Sequence, residues 1–267
     1  MKKNLPLILV IGLGLIVLVV GAVLLFKTVK TKNDEGQIVT HEKILEAPEI
    51  GSRLYVTLSP RADGRAIIIK IGKIPRGAQI DYEITYTTDG IEQGIAGQVA
   101  LEQGQDEYAR EHIFGTCSRN VCKYDKNVEF GKWNAKVDLP DRLYEIGSDW
   151  HLQRLASGKV ELKDKFTINI PSSGFAKASY TIAHESHGLP SALPQAVKLI
   201  SGPFHFSAVE KLNKKATVSF AINDSQVAKI FFWNGSSWQD LGGELKVGVL
   251  SASIDAGGTF VVASQVQ

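Results

Sequence analysis

Cys117 and Cys122, in Thr116-Cys117-Ser118-Arg119-Asn120-Val121-Cys122, are the only cysteines in the chain. Two thiolates this close could begin a zinc site. A closed structural site takes four ligands, however, and only a solitary His112 stands near them. A local disulfide is the expected state, with free buried thiols as the alternative. His184-Glu185-Ser186-His187 has the residue types of a metalloprotease signature at the wrong spacing. Both imidazoles must face one metal, which needs them four positions apart on a helix, and here Gly188 and Pro190 follow at once. The segment reads as a solvated loop. No Gly-x-Ser-x-Gly elbow exposes a nucleophile, and Gly94-Ile95-Ala96-Gly97 lacks the Lys-Ser/Thr of a phosphate loop. No acidic run suits calcium. No catalytic residue, metal or cofactor is expected.

Four tryptophans and seven tyrosines could build a sugar-binding platform. Trp133, Trp150, Trp233 and Trp238 read first as core or hairpin fillers, because sandwiches need large side chains. If a stripe is exposed, Phe231 and Trp233 form it, since alternation sets them opposite Ile230 and Phe232. They are the candidate binding surface.

Strands must position these groups. Ile80, Tyr82, Ile84 and Tyr86 alternate with Asp81, Glu83 and Thr85 before an Asp89-Gly90 turn, and Phe166, Ile168 and Ile170 repeat the pattern. Leu54–Leu58, Ala66–Ile71, Gly97–Leu101 and Lys132–Val137 add short strands spaced by Gly, Pro and Asp. Val218, Phe220 and Ile222 alternate again, and Ile230-Phe231-Phe232-Trp233 meets Trp238 across Asn234-Gly235, a strong hairpin signal. Leu139, Leu143, Ile146 and Trp150 compete as one helical face, but Gly147 limits them to a short turn of helix. Pro171-Ser172-Ser173-Gly174 reads as a domain edge. The expected fold is all-β: two tandem sandwiches at 52–171 and 172–267 behind one transmembrane helix.

That helix is the segment Leu5–Phe26, which holds no charged residue. At 1.5 Å per residue it would run about 33 Å, enough for a hydrocarbon core of about 30 Å. Ala22-Val23-Leu24-Leu25-Phe26-Lys27 offers no good cleavage site, so residues 1–27 read as an uncleaved signal anchor and 28–51 as a polar stalk. Flanking lysines balance, leaving orientation to the cargo. A cysteine pair in a β-rich domain suits an oxidising exterior, so the amino terminus is expected in the cytoplasm and the bulk outside. The chain's net charge is +2, yet every charge in the first 32 residues is basic, and the remainder has 25 basic against 28 acidic groups. That balance argues against nucleic acid as a partner.

Ile200–Phe206, Ala216–Ile222, Lys229–Gly243 and Ser251–Ala263 together resemble the small β-sandwich module near the ends of many secreted and surface-anchored prokaryotic proteins. That module is similar to the β-sandwich of ankyrins and netrin receptors, and Phe231-Phe232-Trp233-Asn234-Gly235-Ser236-Ser237-Trp238 is the most specific part of the match. The likeness covers roughly a quarter of the chain. The layout of anchor, stalk and sandwiches resembles uncharacterised single-pass envelope proteins of small-genome bacteria, which implies a surface location and no activity. Some relatives of the module cut themselves at His-Phe-Ser in the last strand, by attack of the Ser hydroxyl on the preceding carbonyl. Here the last strand reads Gly257-Gly258-Thr259-Phe260, and His205-Phe206-Ser207 falls in an early strand with Phe204 and Phe206 as core and His205 facing out. The expectation is a non-catalytic, membrane-anchored surface protein acting in envelope architecture, adhesion or binding of a surface protein or glycan. A self-cleaving module and an envelope hydrolase are the alternatives.

Overall fold

Alternation of apolar and polar residues specifies strands because a pleated chain sends successive side chains to opposite faces. The computed structural model describes residues 45–101, 105–119, 121–223 and 228–265, and the protein is all-β over them. The expected anchor, and the expected stalk up to residue 44, lie outside the described residues. Among the described residues the helical content is a single 3-10 turn, Ile50–Ser52, and no helix is long and apolar enough to cross a membrane.

The chain opens with β1 (Tyr55–Pro60), β2 (Ala66–Gly72), β3 (Gln79–Thr88), β4 (Ile91–Gln98), β5 (Tyr108–Ile113), β6 (Gly115–Ser118) and β7 (Val121–Tyr124). It continues with β8 (Phe130–Leu139), β9 (Arg142–Leu155), β10 (Gly158–Leu162), β11 (Phe166–Ile170), β12 (Ser179–Glu185) and β13 (Val197–Ala208). The remainder is β14 (Ala216–Ala221), β15 (Ala228–Trp233), β16 (Trp238–Gly242), β17 (Glu244–Lys246), β18 (Val249–Ile254) and β19 (Gly258–Gln265). A nine-stranded sheet runs in the order β16-β15-β19-β13-β12-β9-β8-β3-β4. A three-stranded sheet, β1-β2-β5, and a five-stranded sheet, β10-β11-β14-β18-β17, accompany it, and β6-β7 is a separate hairpin.

Two hydrophobic cores lie on opposite faces of the long sheet. Leu54, Val56 and Leu58 of β1 and Ile67, Ile69 and Ile71 of β2 pack with Ile80, Ile84, Trp133, Trp150 and Ile182. Ile168 of β11 and Val218 and Phe220 of β14 pack with Ala183, Phe206, Ile230, Phe260 and Val262. Ile182 and Ala183 are neighbours on β12, so their side chains leave by opposite faces. Each is fully buried, one in each core. The central strand therefore has almost no exposed face, and β12 buries five of its seven residues, Ser179, Thr181, Ile182, Ala183 and His184.

Two expectations are corrected here. The stretch from Leu139 to Trp150 is no helix: β8 and β9 form a hairpin closed by Leu139 and Arg142. The decisive period is two, since Tyr144, Ile146, Trp150 and Leu152 share one face and join the first core. The boundary at residue 171 also fails to divide the cores. β11 pairs with β14 through Phe166↔Phe220 and Ile168↔Val218, so residues 158–170 belong to the second core. The cores are not separate sandwiches, because both close on the same nine-stranded sheet.

Candidate functional site

β1 is the edge of its three-stranded sheet, and its free side lies over β12 and β13 of the long sheet. Three hydrogen bonds tie β1 to the long sheet. The Leu58 N–H donates to His184 Nε2 at 2.9 Å, Ser207 Oγ donates to Ser59 Oγ at 3.2 Å, and Tyr55 OH lies 2.6 Å from Thr259 Oγ1. Thr259 Oγ1 also lies 2.9 Å from His205 Nδ1, so phenol, hydroxyl and imidazole form one hydrogen-bonded chain. His205 and Thr259 are directly paired across β13 and β19, and Trp233 is paired with Thr259 from β15, which sets all three on one face.

These residues line a cleft of about 420 Å³. Tyr55, Thr57 and Ser59 line it from β1, Lys70 from β2, His205 and Thr259 from β13 and β19, and Trp233 and Asn234 from the end of β15, with Lys73 and Glu107 also on its lining. Burial lowers the His205 imidazole to about 4 and pushes the Tyr55 phenol up, and both are therefore neutral at physiological pH. Lys73 is lowered by burial too, and its ammonium donates to the Gly51 carbonyl. Thr259 is fully buried, and its oxygen is already shared by Tyr55 and His205. It is unsuited to attack a substrate. The cleft offers an aromatic edge and fixed neutral polar groups, which can hold a ligand in one orientation.

Each residue singled out from sequence has a definite place. Cys117 and Cys122 face one another in the β6-β7 ladder and are joined by a disulfide. Trp233 is half-buried and meets Trp238 edge to face at 5.5 Å, with one side on the cleft. Phe231 does not belong to an exposed stripe. It is 6% exposed, packed with Leu189, Val261 and Ala263, because the segment after β12 covers this face. His184-Glu185-Ser186-His187 is no solvated loop: His184 and Ser186 are fully buried, and the His184 imidazole serves as a cap for an edge strand. His205 turns away from the second core as alternation requires, but into the cleft rather than into open solvent. Among the described residues no group of three or more His, Cys, Asp or Glu could hold a metal ion.

Sequence reasoning did not find Tyr55 and Thr259, which meet although 204 positions separate them. The single local signal was the polar phase of two strands, Tyr55-Thr57-Ser59 and His205-Ser207, which reads as solvent-facing until a second sheet is placed over it. No protein-family model matches the chain, and neither does any curated protein.

Proposed function

We propose that this is a membrane-tethered protein of the cell surface whose β domain binds a glycan, without catalysis, in the cleft between β1, β13, β19 and the β15-β16 turn. The observation that carries the reading is the meeting of Trp233 with the Tyr55–Thr259–His205 chain in one cleft. A pyranose presents an apolar face that an indole can cover and hydroxyls that neutral donors and acceptors can order. The tether is the uncharged segment 5–26, arranged with the amino terminus inside, ahead of the two cores. A disulfide at Cys117–Cys122 supports an oxidising exterior.

Two experiments test the two halves of this reading. Protease added to intact cells should degrade the β domain, and detergent rather than high salt should release it. Survival of the domain, or soluble chains that begin near Lys27, would refute the tether. The detergent-solubilised full chain, applied to an oligosaccharide array, should bind a subset of glycans, with affinity reduced at least tenfold by Trp233→Ala. Binding that Trp233→Ala leaves intact, or no binding at all, would remove the cleft as a glycan site. The chain should also remain whole at Phe206–Ser207, seen as a single band on a denaturing gel, because His205 and Phe206 are paired with both β12 and β19 and Ser207 continues the regular pairing with β12.

A further inference from the structure

A sheet edge presents unpaired backbone N–H and C=O groups, and soluble proteins protect such edges by shortness, charge, bulges or a cover. Most edges here show one of these devices. Leu58 on β1 is capped by His184. The ladder of β16 is bulged near Phe231, and its Asp240 is paired with Lys229. β5 carries Arg110 and Glu111, β10 is a short strand with the Lys159–Glu161 ion pair, and β17 is three residues long with Glu244 paired to Lys246.

Among the described strands, β4 has none of them beyond a single charge. It closes one end of the nine-stranded sheet, pairs with β3 over eight residues without a register shift, and holds one charge, Glu92, and no proline. None of its residues is buried, and Ile91 is 62% exposed. Its register decides which backbone groups are free. The Val99 N–H donates to the Ile80 carbonyl at 2.9 Å just beyond the strand, so odd-numbered residues bond inward to β3. Glu92, Gly94, Ala96 and Gln98 turn their N–H and C=O groups outward.

We propose that β4 pairs with β4 of a second copy of this chain, antiparallel, about a two-fold axis through Gly94 and normal to the sheet. Such an edge is complementary to itself, as a two-fold interface requires. Gly94 faces Gly94, and Glu92 faces Ala96, so about six backbone hydrogen bonds form between small side chains. The two Glu92 carboxylates stand about 13 Å apart, beyond the screening length at physiological salt. The pairing extends the long sheet into its copy and covers the one unprotected edge among the described strands.

Cysteine cross-linking of the full chain in membranes tests this. A Cβ at Gly94 would meet the end of the Glu83 side chain at 3.1 Å and the Thr85 methyl at an ordinary 3.9 Å, so Gly94→Cys should be accommodated. Mild oxidation should convert Gly94→Cys into a disulfide-linked dimer, while Lys136→Cys, on β8 inside the sheet, should stay monomeric. Adding Ala96→Pro should cut cross-linking at least tenfold without altering the circular dichroism spectrum, because that N–H serves no bond to β3. Gly94→Lys, with like charges face to face, should likewise give a monomer by sedimentation in detergent. The proposal is overturned by a wild-type chain that sediments as a monomer at about 100 μM, by absence of the Gly94→Cys dimer, by a dimer that survives both Ala96→Pro and Gly94→Lys, or by cross-links to other proteins alone.

Discussion

His184 Nε2 accepts the backbone N–H of Leu58 at 2.9 Å, a bond that crosses from the long sheet to the unpaired side of an edge strand. The ring is fully buried, and its Nδ1–H donates to the Glu185 carbonyl at 3.0 Å, which fixes the neutral tautomer. His184→Ala leaves the Leu58 N–H without a partner and a void beside it, at a cost of about 2–4 kcal/mol. His184→Gln, which can still offer an acceptor, should recover part of that loss. Urea unfolding of both variants checks this, and equal stabilities for the two would show that the hydrogen bond contributes nothing.

Burial holds His184 well below the ordinary imidazole range, with His205 nearby adding to the effect, and His205 itself is lowered to about 4. His112, His151 and His187 are lowered by burial as well. In the unfolded chain these rings take up protons near pH 6.5. Between that pH and about 4 the unfolded state binds more protons than the folded one. Stability is therefore complete above pH 6.5 and falls as the pH drops below it, by up to about 1.4 kcal/mol per pH unit for each histidine involved. The urea midpoint should be clearly lower at pH 5 than at pH 7.5, and His205→Asn should flatten the decline. A midpoint independent of pH over this range would contradict the burial of these rings.

Two hairpins turn through the same backbone shape with different residues. Asp89-Gly90 has φ of 47° and 79°, and Val247-Gly248 has φ of 48° and 74°. Both are two-residue loops of the left-handed kind, closed by Thr88↔Ile91 and by Lys246↔Val249. A β-branched residue is poorly suited to this region, whereas asparagine enters it readily. Val247 is also fully exposed, so it contributes no packing that a substitution would remove. Val247→Asn should stabilise the protein by about 1 kcal/mol, visible as a rise in Tm of a few degrees. A lower Tm would refute the claim that Val247 is strained in this turn.

The disulfide closes a small loop, for which chain entropy gives about 2 kcal/mol. The β6-β7 hairpin it pins is largely exposed, with Val121 at 74% exposure. Replacing both Cys117 and Cys122 with serine should therefore act first on the hairpin. Trypsin cleavage after Arg119 should become at least tenfold faster, while the main unfolding transition moves by no more than about 2 kcal/mol. Uniform sensitivity across the domain would assign the bridge a global role instead.

What could be read from the sequence was local. The β3 strand, the Asp89-Gly90 turn, the Trp233–Trp238 hairpin and the Cys117–Cys122 bridge each depend on neighbours within a few positions, and each appears as expected. Leu139–Trp150 misled because four apolar residues fit a helical period by coincidence while Tyr144 and Leu152 complete a period of two. Phe231 misled because its cover, Leu189, comes from a segment far away in the chain. The cleft was illegible for the same reason. Tyr55 and His205 are ordinary polar positions on their own strands, and only the crossing of β1 over β13 and β19 makes them neighbours through Thr259.

Because Ile182 and Ala183 hand one strand to both cores, the wall between them is shared. Melting either core strips one side of β12 and exposes backbone bonds that the other still needs, so the halves should act as one calorimetric unit, with the van't Hoff enthalpy equal to the measured heat. Neither half can be excised as an autonomous module: a cut at residue 171 parts β11 from β14 and leaves Phe166 and Ile168 without the partners that bury them. A disturbance in the cleft on one face would thus register in the amide exchange of strands lining the opposite face, through a single layer of backbone.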